Sequence, residues 1–242
     1  VGYPIVLSRL FVSYELWSSN RENMKFVIVP VKDLSKAKER LSSLLPQNDR
    51  TELAYAMLED VLSALKGSKL ADRKFIVTLD TKAIEIAQSL GIEVIAETEQ
   101  NGESASVDYA SQVAKTMGAT SVLVIPGDAP LITSDDIDFV LGKEKDGPSI
   151  IFVPARDEFG TNAILRKPPD AIKSMFGDDS FNKHKNEADN KNIPYESYEN
   201  SRIGLDIDRP DDLKELVSKK SDTKTYSELE KLNIIEKIRE NS

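Results

Sequence analysis

Two acidic turns, far apart in the sequence, carry the side chains best suited to chemistry. The first is Gly127-Asp128-Ala129-Pro130-Leu131, and the second is Asp206-Ile207-Asp208-Arg209-Pro210-Asp211-Asp212-Leu213. Carboxylate oxygens are the ligands that Mg²⁺ prefers, and bound Mg²⁺ usually also contacts substrate phosphates. Asp211 and Asp212 are explained by a helix start, where acids favour the dipole. The pattern therefore predicts a magnesium-dependent, phosphate-handling enzyme with Asp128, Asp206 and Asp208 as the metal ligands.

Asp128 has a simpler interpretation as a turn residue, because Gly-Asp-x-Pro is common turn chemistry. Its context favours the ligand role. The preceding run 122–126 has no polar side chain and suits a strand in the middle of a covered parallel sheet. Open α/β sheets bind ligands just beyond the carboxyl ends of their strands, which is where Asp128 falls.

A basic segment follows the first predicted strand of this acidic chain. It contains Pro30, Lys32, Lys36, Lys38 and Arg40 within eleven positions. Lysine supplies a point charge to phosphate oxygens, and arginine can donate two parallel hydrogen bonds. A nucleoside triphosphate site and a solvated helix face are both open interpretations. Neither a Walker sequence nor Gly-x-Gly-x-x-Gly occurs, so a P-loop or dinucleotide fold is not supported.

Strand and helix patterns alternate along the chain, which predicts a single, Rossmann-like, doubly wound and mostly parallel sheet with a small edge hairpin. The predicted strands are 25–31, 75–79, 92–96, 122–126, 149–154, 162–165 and 195–198, and the predicted helices are 35–44, 48–66, 81–90, 104–117, 169–175, 181–191 and 227–240. Strands 149–154 and 162–165 form the predicted edge hairpin. We predict an extension over 1–23 before Met24, one domain over 24–217, and a helical tail over 218–242.

Composition excludes several classes of function. The net charge of −9 argues against broad nucleic-acid binding, which requires a basic face. The absence of cysteine excludes disulfides and thiolate chemistry, and it favours a cytoplasmic location. No apolar stretch is long enough to span a membrane. The apolar side of the last predicted helix suggests a homodimer, although that side could equally cover the sheet.

Five motifs in order resemble the CofC family, the archaeal 2-phospho-L-lactate guanylyltransferases of coenzyme F(420) synthesis, whose fold is of the nucleotide-diphospho-sugar transferase type. They are Pro-Val-Lys-x4-Ala-Lys-x-Arg-Leu from Pro30, the Asp128 turn, Gly160-Thr161-Asn162-Ala163-Ile164-Leu165, Phe176-Gly177-Asp178-Asp179-Ser180-Phe181-Asn182-Lys183-His184, and the Asp206 turn. The resemblance covers roughly residues 25–217.

The resemblance implies a role for each matching residue. The implied metal ligands are Asp128, Asp206 and Asp208; the implied catalytic residues are Lys32, Lys38 and Asp128; the implied nucleotide-binding residues are Pro30, Lys32, Lys38, Arg40, Gly102, Glu103 and Ser104; and Thr161, Gly177 and Ser180 are implied to bind the phosphorylated acid. The segment 102–106 departs from the family pattern. His184 is the only histidine. Its polar helix favours a surface position, and a catalytic role is the alternative.

The implied reaction transfers GMP from GTP to 2-phospho-L-lactate and releases pyrophosphate, with Mg²⁺ as the cofactor. Phosphoenolpyruvate and 3-phosphoglycerate are alternative acceptors, because their charge and size are similar. A cytidylyl- or uridylyltransferase acting on a sugar phosphate and a non-catalytic nucleotide-binding regulator are further alternatives. The short chain has no evident sugar-binding insertion, and both acidic turns and the basic loop are retained, so neither is preferred.

Overall fold

The computed structural model describes residues 23–97 and 99–240, so the predicted extension 1–23 lies outside the described residues except for Asn23. The strands are β1 (Lys25–Pro30), β2 (Arg73–Thr78), β3 (Glu93–Ala96), β4 (Ser121–Val124), β5 (Ser149–Pro154), β6 (Thr161–Lys167) and β7 (Tyr195–Ser197). The helices are α1 (Gln47–Gly67), α2 (Thr81–Leu90), α3 (Glu103–Thr116), α4 (Ser134–Leu141), α5 (Ser180–Asn190), α6 (Pro210–Ser218), α7 (Lys224–Lys231) and α8 (Ile234–Glu240).

These strands form one sheet in the order β3-β2-β1-β4-β6-β5-β7. The first four strands of that order pair in parallel, and helices connect them. β6 is antiparallel to both β4 and β5, whereas β7 pairs in parallel with β5. The predicted α/β fold with a mostly parallel sheet is confirmed. The hairpin of β5 and β6 does not form the edge as predicted, because the short strand β7 adds outside β5.

Alternate residues of β1 pack on opposite faces of the sheet, which explains its continuous apolar sequence. Val27 and Val29 join the core formed with α1, α2 and α4. Phe26 and Ile28 join the core formed with α3 and α5. Because both faces are covered, the carboxyl edge of the central strands is the part of the sheet left open for a ligand.

Capping residues explain where α2 begins and ends, which agrees with the predicted helix 81–90. The Asp80 carboxylate accepts a hydrogen bond of 2.9 Å from the Ala83 N–H and begins α2, and Gly91 ends α2 in the left-handed region at φ 76°. At α4, which the sequence patterns missed, Thr133 and Asp136 form a capping box.

Three predicted helices differ from the structure. Segment 35–44 forms two short 3₁₀ turns, Leu34–Lys36 and Glu39–Leu41, because Lys38 between them is left-handed at φ 58°. Segment 169–175 is irregular, and side chains accept hydrogen bonds from the backbone N–H groups of Ser174 and Met175. The terminal helix divides into α7 and α8 at Asn233, whose φ is 55°.

The carboxy-terminal helices pack against the rest of the chain. Their apolar residues, among them Leu229 and Ile235, join a third core with Leu53 and Met57 of α1 and with Ile207. The apolar side of the predicted tail therefore covers α1 and the second acidic turn. Within the described residues, no helix is both long and apolar enough to cross a membrane.

Candidate active site

A cavity of about 890 Å³ opens at the carboxyl ends of β1 and β4. Both acidic turns, the loop after β1, the start of β6 and the loop before α5 contribute to its wall. The predicted site residues that line it are Pro30, Lys32, Lys38, Arg40, Glu103, Asp128, Thr161, Gly177, Ser180, Asp206 and Asp208. Gly102 and Ser104 are not among its lining residues. Segments that are far apart in the sequence therefore meet in one cavity.

Lys38 joins the two acidic turns. Its ammonium nitrogen lies 2.6 Å from Asp128 Oδ2 and 2.8 Å from Asp208 Oδ1. The Lys38 side chain is only 7% exposed, so this cation is fixed between the carboxylates rather than free in solvent. Charge-assisted hydrogen bonds of this length are among the strong ones in proteins.

Backbone geometry brings these three side chains together. Lys38 lies in the left-handed conformation at φ 58°, between the two 3₁₀ turns of the loop after β1. The Ile207 N–H donates to the Asp128 carbonyl oxygen at 3.0 Å, which joins the two acidic turns directly. Leu205 and Ile207 are buried, so alternation directs Asp206 and Asp208 toward the cavity, as the sequence predicted.

The charges of this bridge, which Lys38 forms with Asp128 and Asp208, shift the pKa values of Lys38 and Asp208 in opposite directions. Burial alone would lower the pKa of Lys38, but the negative charges of Asp128 and Asp208 outweigh it and raise that pKa. Burial would raise the pKa of Asp208, but Lys38 and then Arg40 outweigh it and lower that pKa. Both groups are therefore charged near neutral pH.

Asp206 lies outside this bridge. Its Oδ1 accepts a hydrogen bond of 3.0 Å from Asn162 Nδ2, which also donates to the Ile203 carbonyl oxygen at 2.9 Å. Burial, followed by the negative charge of Asp128, raises the pKa of Asp206. In the described part of the chain, no group of three or more His, Cys, Asp or Glu side chains is disposed to hold a metal ion. Lys38 separates Asp128 from Asp208, and magnesium stays a prediction.

Asp212 shapes the second acidic turn. Its Oδ2 accepts from the backbone N–H groups of Asp208 and Arg209 at 3.1 and 2.7 Å. Its Oδ1 accepts from Arg156 at 2.8 Å, and Arg156 also pairs with Glu215. The helix-start interpretation of Asp212 is correct, and the same carboxylate also holds the neighbouring turn.

Of the other predicted nucleotide-binding residues, some line the cavity with Lys38 and two do not; those that line it are Pro30, Lys32, Arg40 and Glu103. Lys32 Nζ lies 3.3 Å from Glu103 Oε2, and Arg40 lies 3.6 Å from Asp208 Oδ2. Both basic side chains are more than half exposed. Gly102 caps α3 with φ 97°. Ser104 is placed differently from the prediction, because its hydroxyl oxygen accepts from the Phe176 N–H at 2.8 Å, beside the predicted acceptor site.

The three residues predicted to bind the phosphorylated acid lie on adjoining elements. Ser180 Oγ accepts a hydrogen bond of 2.8 Å from the Thr161 N–H, which joins the start of α5 to the start of β6. The Ser180 N–H donates to the Gly177 carbonyl oxygen at 3.1 Å. Gly177 has φ 111°, a conformation in which a side chain is strained. Thr161, Gly177 and Ser180 therefore lie together at one part of the cavity wall.

Several polar residues near this site lie in positions or contacts that the sequence did not predict. His184 is fully buried, so the surface interpretation was wrong; the aromatic residues Phe152 and Phe176 enclose it. Asn162 lies in the motif that begins at Gly160, but nothing in the spacing of that motif indicated a hydrogen bond to Asp206. Arg156 follows β5 at a position that no motif marks, and only the fold brings it beside Asp212.

The fold is that of the nucleotide-diphospho-sugar transferases. A putative nucleotide-diphospho-sugar transferase from Desulfovibrio desulfuricans superposes with a TM-score of 0.70, over 90% of this chain and 98% of that chain. At 18% sequence identity, this likeness concerns the fold alone.

The sequence comparisons identify the family within that fold. The model of the family described as "Guanylyl transferase CofC like" matches residues 24–242, and the chain belongs to this family. A phosphoenolpyruvate guanylyltransferase from Conexibacter woesei is 35% identical over 78% of this chain and 85% of its own length. A 2-phospho-L-lactate guanylyltransferase from Methanobrevibacter smithii is 32% identical over 86% of this chain and 90% of its own length.

Proposed function

We propose that this protein transfers GMP from GTP to a phosphorylated three-carbon acid, with 2-phospho-L-lactate as the preferred acceptor. The products are lactyl-2-diphospho-5′-guanosine and pyrophosphate, in the biosynthesis of coenzyme F(420). The observation that carries the proposal is the meeting of Lys38, Asp128 and Asp208 in the cavity that Thr161 and Ser180 also line. Membership of the guanylyltransferase family supports the same reaction.

Phosphoenolpyruvate is the second candidate acceptor. The relative that carries its name is 35% identical to this chain, and the relative named for 2-phospho-L-lactate is 32% identical, so the two identities do not separate the acceptors. Both acids carry a carboxylate and a phosphate on the same carbon atom. 3-Phosphoglycerate carries them on different carbon atoms and is the third candidate.

The reaction is a phosphoryl substitution at the α-phosphorus of GTP. An oxygen of the acceptor phosphate forms a bond to that phosphorus while the bond to the bridging oxygen of the β-phosphate breaks, and pyrophosphate leaves with the electron pair. The attacking oxygen is already an anion, so no general base is required. The barrier comes from bringing two polyanions together, which positioning and fixed positive charge can lower.

The basic residues divide into fixed and movable charges. Lys38 is held by two carboxylates and keeps a positive charge at the wall of the cavity. Lys32 and Arg40 make longer contacts and are well exposed, so their side chains can turn toward the triphosphate at little cost. We propose that these two residues stabilise the leaving pyrophosphate.

Asp128, Asp206 and Asp208 supply the oxygen donors that a hard divalent cation prefers, although Lys38 lies between Asp128 and Asp208. Asp128 and Asp208 already share one cation, and a third carboxylate, Asp206, is near enough to respond to the charge of Asp128. We propose that these three residues hold Mg²⁺, the ion that suits oxygen ligands and phosphate substrates. When bound, Mg²⁺ would polarise the α-phosphate and neutralise charge that develops on it.

The test is a matrix of four nucleoside triphosphates against 2-phospho-L-lactate, phosphoenolpyruvate, 3-phosphoglycerate and a hexose phosphate. Pyrophosphate release is followed with Mg²⁺ and with EDTA, and the products are identified by mass spectrometry. We expect turnover with GTP, a three-carbon acid and Mg²⁺ together. Preference for another nucleotide or for the hexose phosphate would refute the proposal. Binding of GTP without pyrophosphate release for any acceptor would favour the regulatory alternative.

The homodimer stays a prediction, and the described residues account for much of the apolar surface that suggested it. The apolar sides of α7 and α8 are largely covered by α1 and α6. Light scattering on the purified protein measures the oligomeric state directly, and a monomer mass would refute the homodimer.

A further inference from the structure

The single histidine of this chain is buried beside the predicted acceptor site and both of its ring nitrogens have partners. Nδ1 lies 3.0 Å from the Thr161 hydroxyl oxygen, and Nε2 lies 2.8 Å from the backbone nitrogen of Met175. His184 itself has no exposed surface and lines no part of the cavity. Its influence on a ligand must therefore pass through those two partners.

The partners determine where the ring proton lies. The backbone N–H of Met175 can only donate, so Nε2 must accept and carries no proton. The neutral ring therefore holds its proton on Nδ1 and donates it to Thr161 Oγ1. Because that oxygen accepts from His184, the hydroxyl proton of Thr161 is directed away from the ring and is available to the cavity that Thr161 lines.

The surroundings keep the ring neutral. Burial, followed by the positive charge of Arg166, lowers the pKa of His184 to about 4. Asp108 opposes this shift, and Lys183 adds to it. At neutral pH the donor–acceptor assignment of the two nitrogens is thus fixed.

The Met175 contact belongs to a row of three. The consecutive backbone N–H groups of Ser174, Met175 and Phe176 donate to Asp108 Oδ1, His184 Nε2 and Ser104 Oγ at 3.0, 2.8 and 2.8 Å. The three acceptors come from α3 and α5. The segment that leads to Gly177 has no regular secondary structure, and these three hydrogen bonds hold it in place. The next N–H, that of Gly177, donates to no group in residues 23–97 and 99–240.

We propose that His184 is a positioning residue for the acceptor anion. Its Nδ1–H orients the Thr161 hydroxyl as a donor to that anion, and its Nε2 holds the backbone that leads to Gly177 beside Thr161. This inference rests on the proposed function, because it assigns the acceptor end of the same cavity. His184 touches no reacting atom and exchanges no proton with substrate. Its neutral form organises two donors, and hydrogen-bond donors suit the phosphate or carboxylate of a phosphorylated acid.

Two conservative variants separate the two contacts. In His184→Asn the amide nitrogen can replace Nδ1 as the donor to Thr161, whereas in His184→Gln the amide oxygen can replace Nε2 as the acceptor for Met175. We expect His184→Gln to raise the acceptor KM by about 10- to 100-fold, the range for a lost hydrogen bond to a charged group. The KM for GTP should change less than about twofold, because that end of the cavity keeps its contacts. We expect the acceptor KM of His184→Asn to lie between those of wild type and His184→Gln.

A double-mutant cycle with Thr161→Val tests whether His184 acts through the hydroxyl. Once that hydroxyl is absent, His184→Gln should raise the acceptor KM little further, because the two changes remove the same donor. Fully additive effects on the acceptor KM would overturn the proposal. A matched rise in both KM values would also overturn it, because that result indicates general loosening of the fold.

Two further measurements do not depend on turnover. Since the chain has one histidine, a ¹⁵N-histidine NMR spectrum reports its tautomer without ambiguity. The Nδ1–H form is expected, and the Nε2–H form would overturn the proposal. Calorimetry with a non-reacting GTP analogue measures binding of 2-phospho-L-lactate and of phosphoenolpyruvate to wild type and His184→Gln. Weaker binding to the variant supports the proposal even if wild type shows no turnover, in which case the proposed function alone fails. Equal binding to the two proteins, or no binding of either acid, overturns the proposal about His184.

Discussion

His184 gives the protein a pH-dependent stability whose size follows from its burial. The pKa of this ring is lowered from 6.5 to about 4, first by burial and then by the positive charge of Arg166. In the unfolded chain the ring takes up a proton below about pH 6.5, whereas in the folded chain it does so only below about pH 4. Between these values the unfolded state binds more protons, so lowering the pH favours unfolding.

One unit of pKa shift corresponds to about 1.4 kcal/mol, so we expect His184 to remove about 3 kcal/mol of folding free energy between pH 7 and pH 4. That contribution is fully present above pH 6.5 and exhausted below about pH 4. The physical reason is that a second ring proton would face the Met175 N–H in a site without solvent.

The assay is urea unfolding followed by circular dichroism at several pH values, for wild type and for His184→Gln. Other acids of the chain titrate in both proteins, so their contribution cancels in the difference. We expect the stability advantage of wild type to shrink by about 3 kcal/mol as the pH falls from 7 to 4. Parallel stability curves over that range would refute the assignment of a neutral, buried ring.

Three other predictions concern the site and its supports. Lys38→Met leaves Asp128 and Asp208 without their shared cation, so calorimetry should show that the free energy of unfolding falls by about 1–3 kcal/mol. Adding Mg²⁺ should raise the Tm of this variant more than that of wild type, and the exposed Lys36→Met is the control. Equal responses to Mg²⁺ would contradict this. Gly177→Ala strains a backbone at φ 111° and should raise the acceptor KM about tenfold, whereas Gly147→Ala, at φ 80° outside the cavity, should leave that KM unchanged. Burial would raise the pKa of Asp136, but hydrogen bonds from Arg202 and other donors lower it to about 2. Asp136 should therefore add about 2 kcal/mol to the free energy of unfolding above pH 4, and this contribution should disappear toward pH 2. The pH-dependent loss should be absent in Asp136→Asn, and a loss that persists in this variant would contradict the prediction.

The sequence predicted the sheet because its strands are marked by strong physical signals. The strand that leads to Asp128 is wholly apolar, and helix ends such as Gly91 carry the residue that a left-handed cap requires. The edge hairpin was misplaced because β7 is short and half exposed, which leaves little apolar signal in Tyr195–Ser197.

The sequence predicted which types of residue form the site, but not how most of them contact one another. Asp128 follows the buried strand β4, at the edge where open sheets hold their ligands, so its place in the site was predictable. The second acidic turn does not directly follow a strand, and no sequence signal indicated the hydrogen bond from the Ile207 N–H to the Asp128 carbonyl oxygen that joins the two turns. The left-handed backbone of Lys38 was not predictable, since lysine rarely adopts it and the surrounding sequence reads as helix. The burial of His184 depends on aromatic residues from β5 and the loop before α5, and no periodic pattern in its polar helix indicates that contact.

Pyrophosphate release by Asp128→Asn is the most direct test of the catalytic role given to the joined acidic turns. Asp211→Asn is the matched control, because Asp211 is an exposed acid of the second turn that pairs only with Lys214 among the described residues. With GTP, 2-phospho-L-lactate and Mg²⁺ saturating, we expect Asp128→Asn to lose at least about 100-fold in kcat with unchanged circular dichroism, and Asp211→Asn to match wild type. Wild-type kcat in Asp128→Asn would contradict the account.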